Sequence, residues 1–304
     1  MSIKLKQFKY NYYVMKYIDN RDWPEYNAQL VRRGEFYLDL SCVKNWSWEL
    51  REMNRKKTGA PYKYPNTFIT FASIIYSFLR LPYRQLEGFI GRLSTYEPGL
   101  VAADYTTLHK RISKQKLEIE IPENDAVVAV DSTGIKVTNR GDWMREKHGK
   151  QRRGWLKVHV AVDVESKRLL SMEVTEENTS DSEVLRPLLK DVNIEEGLMD
   201  GAYDTSDAFE FMKSKGVDCP GIKIRENAIV GKDASSRSTA VLEFKKMGYK
   251  GWKQMHQYGR RWAVEGFFSS IKRIFGETVR ASSRAGMVSE VKRSFILYNI
   301  LMSI

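Results

Sequence analysis

Tyr258, Arg261, Glu265 and Lys272 are spaced so that the last three lie three, seven and fourteen residues beyond the first. At about 100° of rotation per residue, a helix through them gathers all four within an arc of roughly 60°. Val264, Phe267, Phe268, Ile271, Ile274 and Phe275 sweep the neighbouring arc, so one face packs and the adjoining edge stays polar. That edge carries a phenol, a carboxylate and two cations. The simplest reading is a solvated helix edge with an Arg261–Glu265 pair, worth about 0.3 kcal/mol.

What Glu265 does depends on acids elsewhere in the chain. Asp131 ends a short apolar run (DAVVAVD), and Asp200 ends another (EGLMD). Phosphoryl transfer on nucleic acid by two metal ions needs a few converging carboxylates. Mg²⁺ suits that work, with Mn²⁺ as an alternative, because it takes only one or two carboxylates beside phosphate oxygens and water. Asp131, Asp200 and Glu265 are therefore the candidate catalytic and metal-binding residues. Each also has a plain reading: Asp131-Ser132-Thr133 and Asp200-Gly201-Ala202-Tyr203-Asp204 are both good turn sequences. Asp204 is a second acidic candidate beside Asp200.

The composition favours a polyanionic partner. Among 304 residues, 50 Lys+Arg stand against 38 Asp+Glu, a net charge of +12, and the pI is near 9.5. Hydrophobic content of 42% with 12% aromatics is that of a globular protein, not a disordered one. Cys42 and Cys219 are far apart, and His109, His148, His159 and His256 are scattered, so neither a disulfide framework nor a zinc site is expected. The basic, aromatic start lacks a signal-peptide core, and no apolar run reaches a membrane-spanning length. A cytoplasmic protein with no membrane partner is the expectation.

The elements that must position these residues fall into two textures, an α+β organisation. Residues 1–120 read as a helical, helix-turn-helix-like DNA-binding region. One helix carries Phe68, Phe71, Ile75 and Phe78 and stops before Leu81-Pro82. A second carries Leu86, Phe89, Ile90 and Leu93, and a third starts at the N-cap Asp104. In such a bundle Thr106, Thr107 and His109 would face base edges; the alternative is a small helical domain with a solvated last helix. From residue 121 onward the order is strand (125–131), strand (155–164), strand (168–175), helix (181–190), strand (196–200), helix (206–215), strand (219–225) and a final helical stretch. That is the order of a ribonuclease H-like mixed sheet, so residues 121–304 read as the catalytic domain. Residues 231–239, rich in Ser and charge, read as a loop. Between the first two strands lies a basic cluster with Lys147, Lys150, Arg152 and Arg153, either a phosphate track or a solvated hairpin.

Tyr258, Arg261, Glu265 and Lys272, with two, three and six residues between them, resemble the Tyr-Arg-Glu-Lys signature of DDE transposases of prokaryotic insertion sequences. The wider pattern is similar to the insertion sequence five family and covers most of the chain. It includes Trp23, Tyr26, Asn27, Leu30, Arg33 and Gly34, then Leu81-Pro82 with 84–89 (RQLEGF), Asp131-Ser132-Thr133-Gly134, Trp143 with 147–150 (KHGK), Trp155, Lys157, His159 and the 200–204 run. The resemblance implies a transposase that binds its element's terminal inverted repeats, cleaves at the ends and joins the 3′ hydroxyls to target DNA. It implies a metal-binding triad of Asp131, Asp200 and Glu265, and DNA contacts by Tyr258, Arg261 and Lys272. Paired ends imply a homodimer or higher oligomer on double-stranded DNA. The interval from 225 to 259 is too short for the large β-rich insertion of some relatives, and residues 1–20 match no part of the pattern. A domesticated ribonuclease H-like nuclease and a DNA-binding protein without catalysis are the alternatives.

Overall fold

The computed structural model describes residues 22–137, 154–231 and 235–304. The first described stretch is helical: α1 (Trp23–Phe36), α2 (Ser41–Lys44), α3 (Trp46–Asn54), α4 (Asn66–Phe78), α5 (Tyr83–Leu93) and α6 (Tyr105–Lys114). α4 stops ahead of Leu81-Pro82, where Arg80 turns the chain at φ 53°. Asp104 caps α6, its carboxylate accepting from the Thr106 and Thr107 N–H groups. Phe68, Ile75, Leu86, Ile90, Leu108 and Ile112 are buried together, which ties α4, α5 and α6 into one core.

A five-stranded mixed sheet follows, made of β1 (Ala126–Lys136), β2 (Trp155–Asp163), β3 (Leu169–Glu176), β4 (Ile194–Met199) and β5 (Gly221–Ile222). Its order is β3-β2-β1-β4-β5. β1–β2 and β2–β3 are antiparallel, whereas β1–β4 and β4–β5 are parallel. The helices are α7 (Asp181–Leu189), α8 (Ser206–Ser214), α9 (Ser236–Met255), α10 (Trp262–Phe275) and α11 (Arg284–Met302). Strand alternation sends Val128 and Val130 to the face covered by α7 and α8, with Leu185, Leu188, Phe209 and Met212. It sends Val127 and Ala129 to the face of α10 and α11, with Val264, Phe267 and Phe295. This α+β arrangement is compatible with a ribonuclease H-like domain.

Several elements differ from the sequence-based expectation. β1 does not end at Asp131: Ser132 to Lys136 continue pairing with His159 to Trp155 of β2, while the parallel partner β4 stops at Met199, opposite Val130. Asp131 therefore marks the end of the β1–β4 pairing and not the end of the strand. The last strand is only Gly221–Ile222, since Pro220 offers no N–H for a longer ladder. Residues 236–239 open α9 instead of belonging to a loop; its N-cap is Ser235, and Gly248 kinks it at φ 68°. The polar stripe is not one helix either. Gln257 adopts a left-handed φ of 44°, Tyr258–Arg261 form a 3₁₀ turn, and α10 starts at Trp262. The basic cluster holding Lys147, Lys150, Arg152 and Arg153 lies outside the described residues.

The helical region and the sheet region meet along a continuous seam. The rings of Phe78 and Phe275 are 4.8 Å apart. Ser289 of α11 donates to the Ser113 carbonyl at 3.2 Å, and Arg293 donates to that of Ile112 at 3.3 Å. Among the described residues no helix is long and apolar enough to cross a membrane.

Candidate active site

Asp131 and Asp200 are brought together by the parallel register. With Val130 paired to Met199, the next residue on each strand line is an aspartate, and neighbouring strands lie about 4.8 Å apart. Asp131 Oδ1 accepts the Ser132 N–H at 2.8 Å. Asp200 Oδ1 accepts the Ala202 N–H at 2.8 Å and so caps the 3₁₀ turn Gly201–Tyr203. Its Oδ2 has no partner among the described residues.

Glu265 reaches this pair through an arginine. Arg261 donates from Nη1 to Asp131 Oδ2 at 3.0 Å and from Nη2 to Glu265 Oε1 at 2.6 Å. The fork of one guanidinium thus bridges two of the three acids. Burial raises the Asp131 pKa and Asp200 adds to the rise, partly opposed by the Ser132 N–H and Arg261. Burial also works against the Arg261 charge, yet Tyr258, Asp131 and Glu265 more than restore it. Glu265 is 60% exposed against 17% for Arg261, so it is the member with freedom to turn.

The remaining sequence-selected residues occupy distinct places. Tyr258 is buried against Trp252, with ring centroids 4.8 Å apart. Its hydroxyl donates to the Met199 carbonyl at 3.0 Å, immediately before Asp200, and burial pushes its pKa up to about 12. In this placement the ring is packed and does not present a face to a base. Lys272 and Arg273 line an open cavity of about 560 Å³ along α10 with Glu265, Ser269, Phe268 and Glu277. Thr106 and Thr107 hydroxyls both donate to Asp104, the latter at 2.7 Å. His109, farther along α6, is exposed and stands edge-on to Tyr83 at 5.0 Å. Neither threonine nor His109 bonds to the acidic group.

Asp204 is not an equivalent alternative to Asp200. It is buried, bonds Arg237 at 2.6 and 3.1 Å, and accepts the Arg225 N–H at 3.0 Å. With both oxygens bonded and the side chain buried, this carboxylate is committed to Arg237 and the Arg225 backbone.

A second polar group lies behind Asp131 on the other face of the sheet. Lys157 Nζ bonds Asp181 Oδ2 at 3.1 Å and the Thr179 carbonyl at 3.0 Å. The fully buried His159 places Nε2 2.9 Å from Thr175 Oγ1 and Nδ1 3.1 Å from Asp181 Oδ1. That last contact is ionic in distance but poorly aligned, since neither atom completes a hydrogen bond. Burial works to raise the Asp181 pKa, but His159, Ser132 and Lys157 together hold it down at about 2. Tyr203, from the 200–204 run, buries its hydroxyl without a hydrogen-bond partner among the described residues, and burial with the charges of Asp181, Asp131 and Asp200 raises its pKa. Sequence reasoning singled out Lys157 and His159 only as parts of a pattern and missed Asp181. The signal available was the N-cap Ser180 followed by acids in the first turn of α7.

The donor set fits a hard divalent cation in kind: carboxylate oxygens, one of them on Asp200 without a partner among the described residues. Among the described residues, however, no three acidic, histidine or cysteine side chains gather closely enough to hold an ion. The reason is visible in the bonds, because Arg261 stands between Asp131 and Glu265. The triad is adjacent without being assembled.

Family comparisons bear on this arrangement. A family model described as a transposase DDE domain matches residues 122–300, which contain the whole sheet and the three acids. A second model of the same description matches residues 31–140.

Proposed function

This chain belongs to the family of transposase DDE domains, and from that premise we propose that it is the transposase of an insertion sequence of the insertion sequence five family. Domains of this family generally use divalent metal ions. In our reading the chain binds the terminal inverted repeats of its element, cleaves the DNA at the ends and transfers the 3′ ends to target DNA. The observation that carries this is the placement of Asp131 on β1 beside Asp200, which directly follows the neighbouring parallel strand β4, with Glu265 joined to Asp131 through one guanidinium.

Asp131, Asp200 and Glu265 are the residues that would hold Mg²⁺ or Mn²⁺. When bound, two such ions would activate the attacking oxygen and stabilise the leaving one. The balance of the reaction is simple: in cleavage a water oxygen bonds phosphorus and a 3′ hydroxyl leaves, and in joining that 3′ oxygen bonds a target phosphorus while the target strand's own 3′ oxygen leaves as a hydroxyl. The chain's own groups supply position. Tyr258 holds the Met199 carbonyl and so fixes the backbone leading into Asp200. Asp200 is oriented by the Ala202 N–H. Lys272 and Arg273 line the cavity beside Glu265 and are our candidates for DNA phosphates. Arg261 exchanges its carboxylates for a phosphate when DNA arrives, which frees Glu265 to join the aspartates. On this reading residues 1–120 form the DNA-binding part, with Thr106, Thr107 and His109 on α6, and residues 121–304 the catalytic part. Lys147, Lys150, Arg152 and Arg153 add a phosphate track between β1 and β2. Two copies pair the ends.

The test uses DNA carrying the element's own ends with Mg²⁺ or Mn²⁺. Asp200→Ala is expected to bind the ends as wild type does and to lose cleavage by at least ~10³-fold, because an acid is lost and no phosphate contact is. Undiminished cleavage would remove Asp200 from the site.

A further inference from the structure

The seam between the helical region and the sheet region encloses a cavity of about 420 Å³ that the proposed chemistry does not use. Tyr76 and Tyr83, stacked at 4.5 Å, form one side, and His109 of α6 stands at the mouth. Arg280 and Arg293 enter from the sheet region. The start of α11 adds Ser283, its N-cap, and Gly286, so the positive end of a nineteen-residue helix borders the space.

The charges in this cavity do not balance. Arg293 is only 6% exposed, yet among the described residues it has no carboxylate within ion-pair distance. Its Nη1 donates to the Ile112 carbonyl at 3.3 Å, while its Nε is buried without any acceptor. Its remaining company is the Tyr76 ring, 5.2 Å away. The one acid present, Glu290, is already committed: it accepts the backbone N–H groups of Arg280 and Ala281 at 2.9 to 3.1 Å and lies 3.5 Å from Arg280 Nε. Arg280 is held in place by the Arg80 carbonyl at 2.7 Å and stacks over Tyr76 at 4.4 Å. A buried guanidinium without a counter-ion is costly. Here it borders a space open to solvent, beside a second arginine, a histidine and a helix N-terminus. A small anion completes that environment.

We propose that this seam cavity is a phosphate-binding site, with Arg293 and Arg280 as its fixed cations and His109 and the Ser283 end of α11 at its mouth. Its phosphate comes either from the backbone of bound DNA or from free phosphate. The DNA source rests on the function proposed above, whereas the site itself does not. Because both regions contribute, occupancy would fasten α6 to α11 and fix the helical region relative to the sheet.

The experiment is calorimetric titration of the full chain with inorganic phosphate in phosphate-free buffer at constant ionic strength. Single-site saturable binding is expected, weakened ~10-fold or more in Arg280→Gln and a few-fold in His109→Gln, about what loss of one charge-assisted hydrogen bond costs. Circular dichroism checks that each variant is folded. Should Arg280→Gln fail to fold, His109→Gln decides, since that side chain is exposed. No saturable binding by wild type overturns the proposal, and so does unchanged affinity in the folded variants. A labelled DNA duplex then separates the sources. Displacement of the duplex by phosphate, with a salt slope lower by about 1 in Arg280→Gln, assigns the site to a DNA phosphate. Phosphate binding without displacement assigns it to free phosphate. Asp200→Ala protein is expected to bind phosphate as wild type does, so failure of the catalytic reading leaves this result intact.

Discussion

The two faces of the sheet treat their carboxylates in opposite ways. On the α7 face, Asp181 is clamped by Lys157 and approached by His159, and its pKa falls to about 2. On the α10 face, Asp131 is partly buried with its pKa raised, Asp200 keeps an oxygen without a partner among the described residues, and Glu265 is mostly exposed. Asp181 is held by a lysine on its own face of the sheet, whereas Asp131 shares one arginine with Glu265. On the function proposed above, the first is an acid of the scaffold and the second an acid of the site, on opposite faces of a single sheet.

That contrast can be broken at several points. The largest effect is expected from Glu265→Gln, which should reduce metal-dependent end cleavage by at least ~10³-fold while stability changes by less than about 0.5 kcal/mol, because the side chain is exposed. A large loss of stability on chemical denaturation would make Glu265 a scaffold residue like Asp181. Next comes Arg261→Ala, which leaves two acids without their shared cation. We expect a loss of about 1–2 kcal/mol without divalent metal, less than for a fully buried pair. Added Mn²⁺ should raise the melting temperature of the variant more than that of wild type. An equal rise in both would refute the exchange role of this arginine.

Asp181→Asn probes the other face. Because the folded carboxyl sits at about 2 against an ordinary 3.8, the folded protein holds its charge where the unfolded chain takes up a proton. The stabilisation is full above the unfolded pKa and is lost as the pH falls from about 4 to about 2. Wild type should lose up to ~2 kcal/mol across that window, and the variant should lack this part of the dependence. Identical pH profiles would show that the clamp contributes nothing. The smallest effect is expected for Lys272→Ala: stability within about 0.5 kcal/mol, with a salt slope of DNA binding lower by about 1. An unfolded variant would place Lys272 in the packing and not at a phosphate.

Local features were legible in the sequence. Asp104 announced the start of α6, Leu81-Pro82 the end of the preceding helix, and alternation the pairing strands β2 and β3. The choice of Asp131, Asp200 and Glu265 rested on strand ends and on a recognisable spacing, and the register does set the two aspartates side by side. Contacts between distant positions left no such trace. Arg261 and Asp131 are 130 residues apart, so local helix spacing could show only the Arg261–Glu265 pair. The left-handed Gln257 that turns Tyr258 into the core has no propensity signal, and α9 was hidden by a polar beginning. Arg293 reads as one more cation on a helix, and only the packing of α6 against α11 reveals it as buried. Gly134 is a similar case. A Cβ there would come within 2.8 Å of the Trp155 ring, so the glycine leaves space for a tryptophan on the neighbouring strand.

On the proposed function, Asp131, Asp200 and Glu265 form one metal-binding group that Arg261 keeps apart until DNA arrives. Mn²⁺ binding followed by electron paramagnetic resonance tests this directly, without DNA or turnover. Saturable binding by wild type is expected, with tighter binding by Arg261→Ala, loss of binding by Asp131→Asn, Asp200→Ala and Glu265→Gln, and no change in Asp181→Asn. Wild-type affinity in the three acid variants, or loss in Asp181→Asn alone, would contradict it.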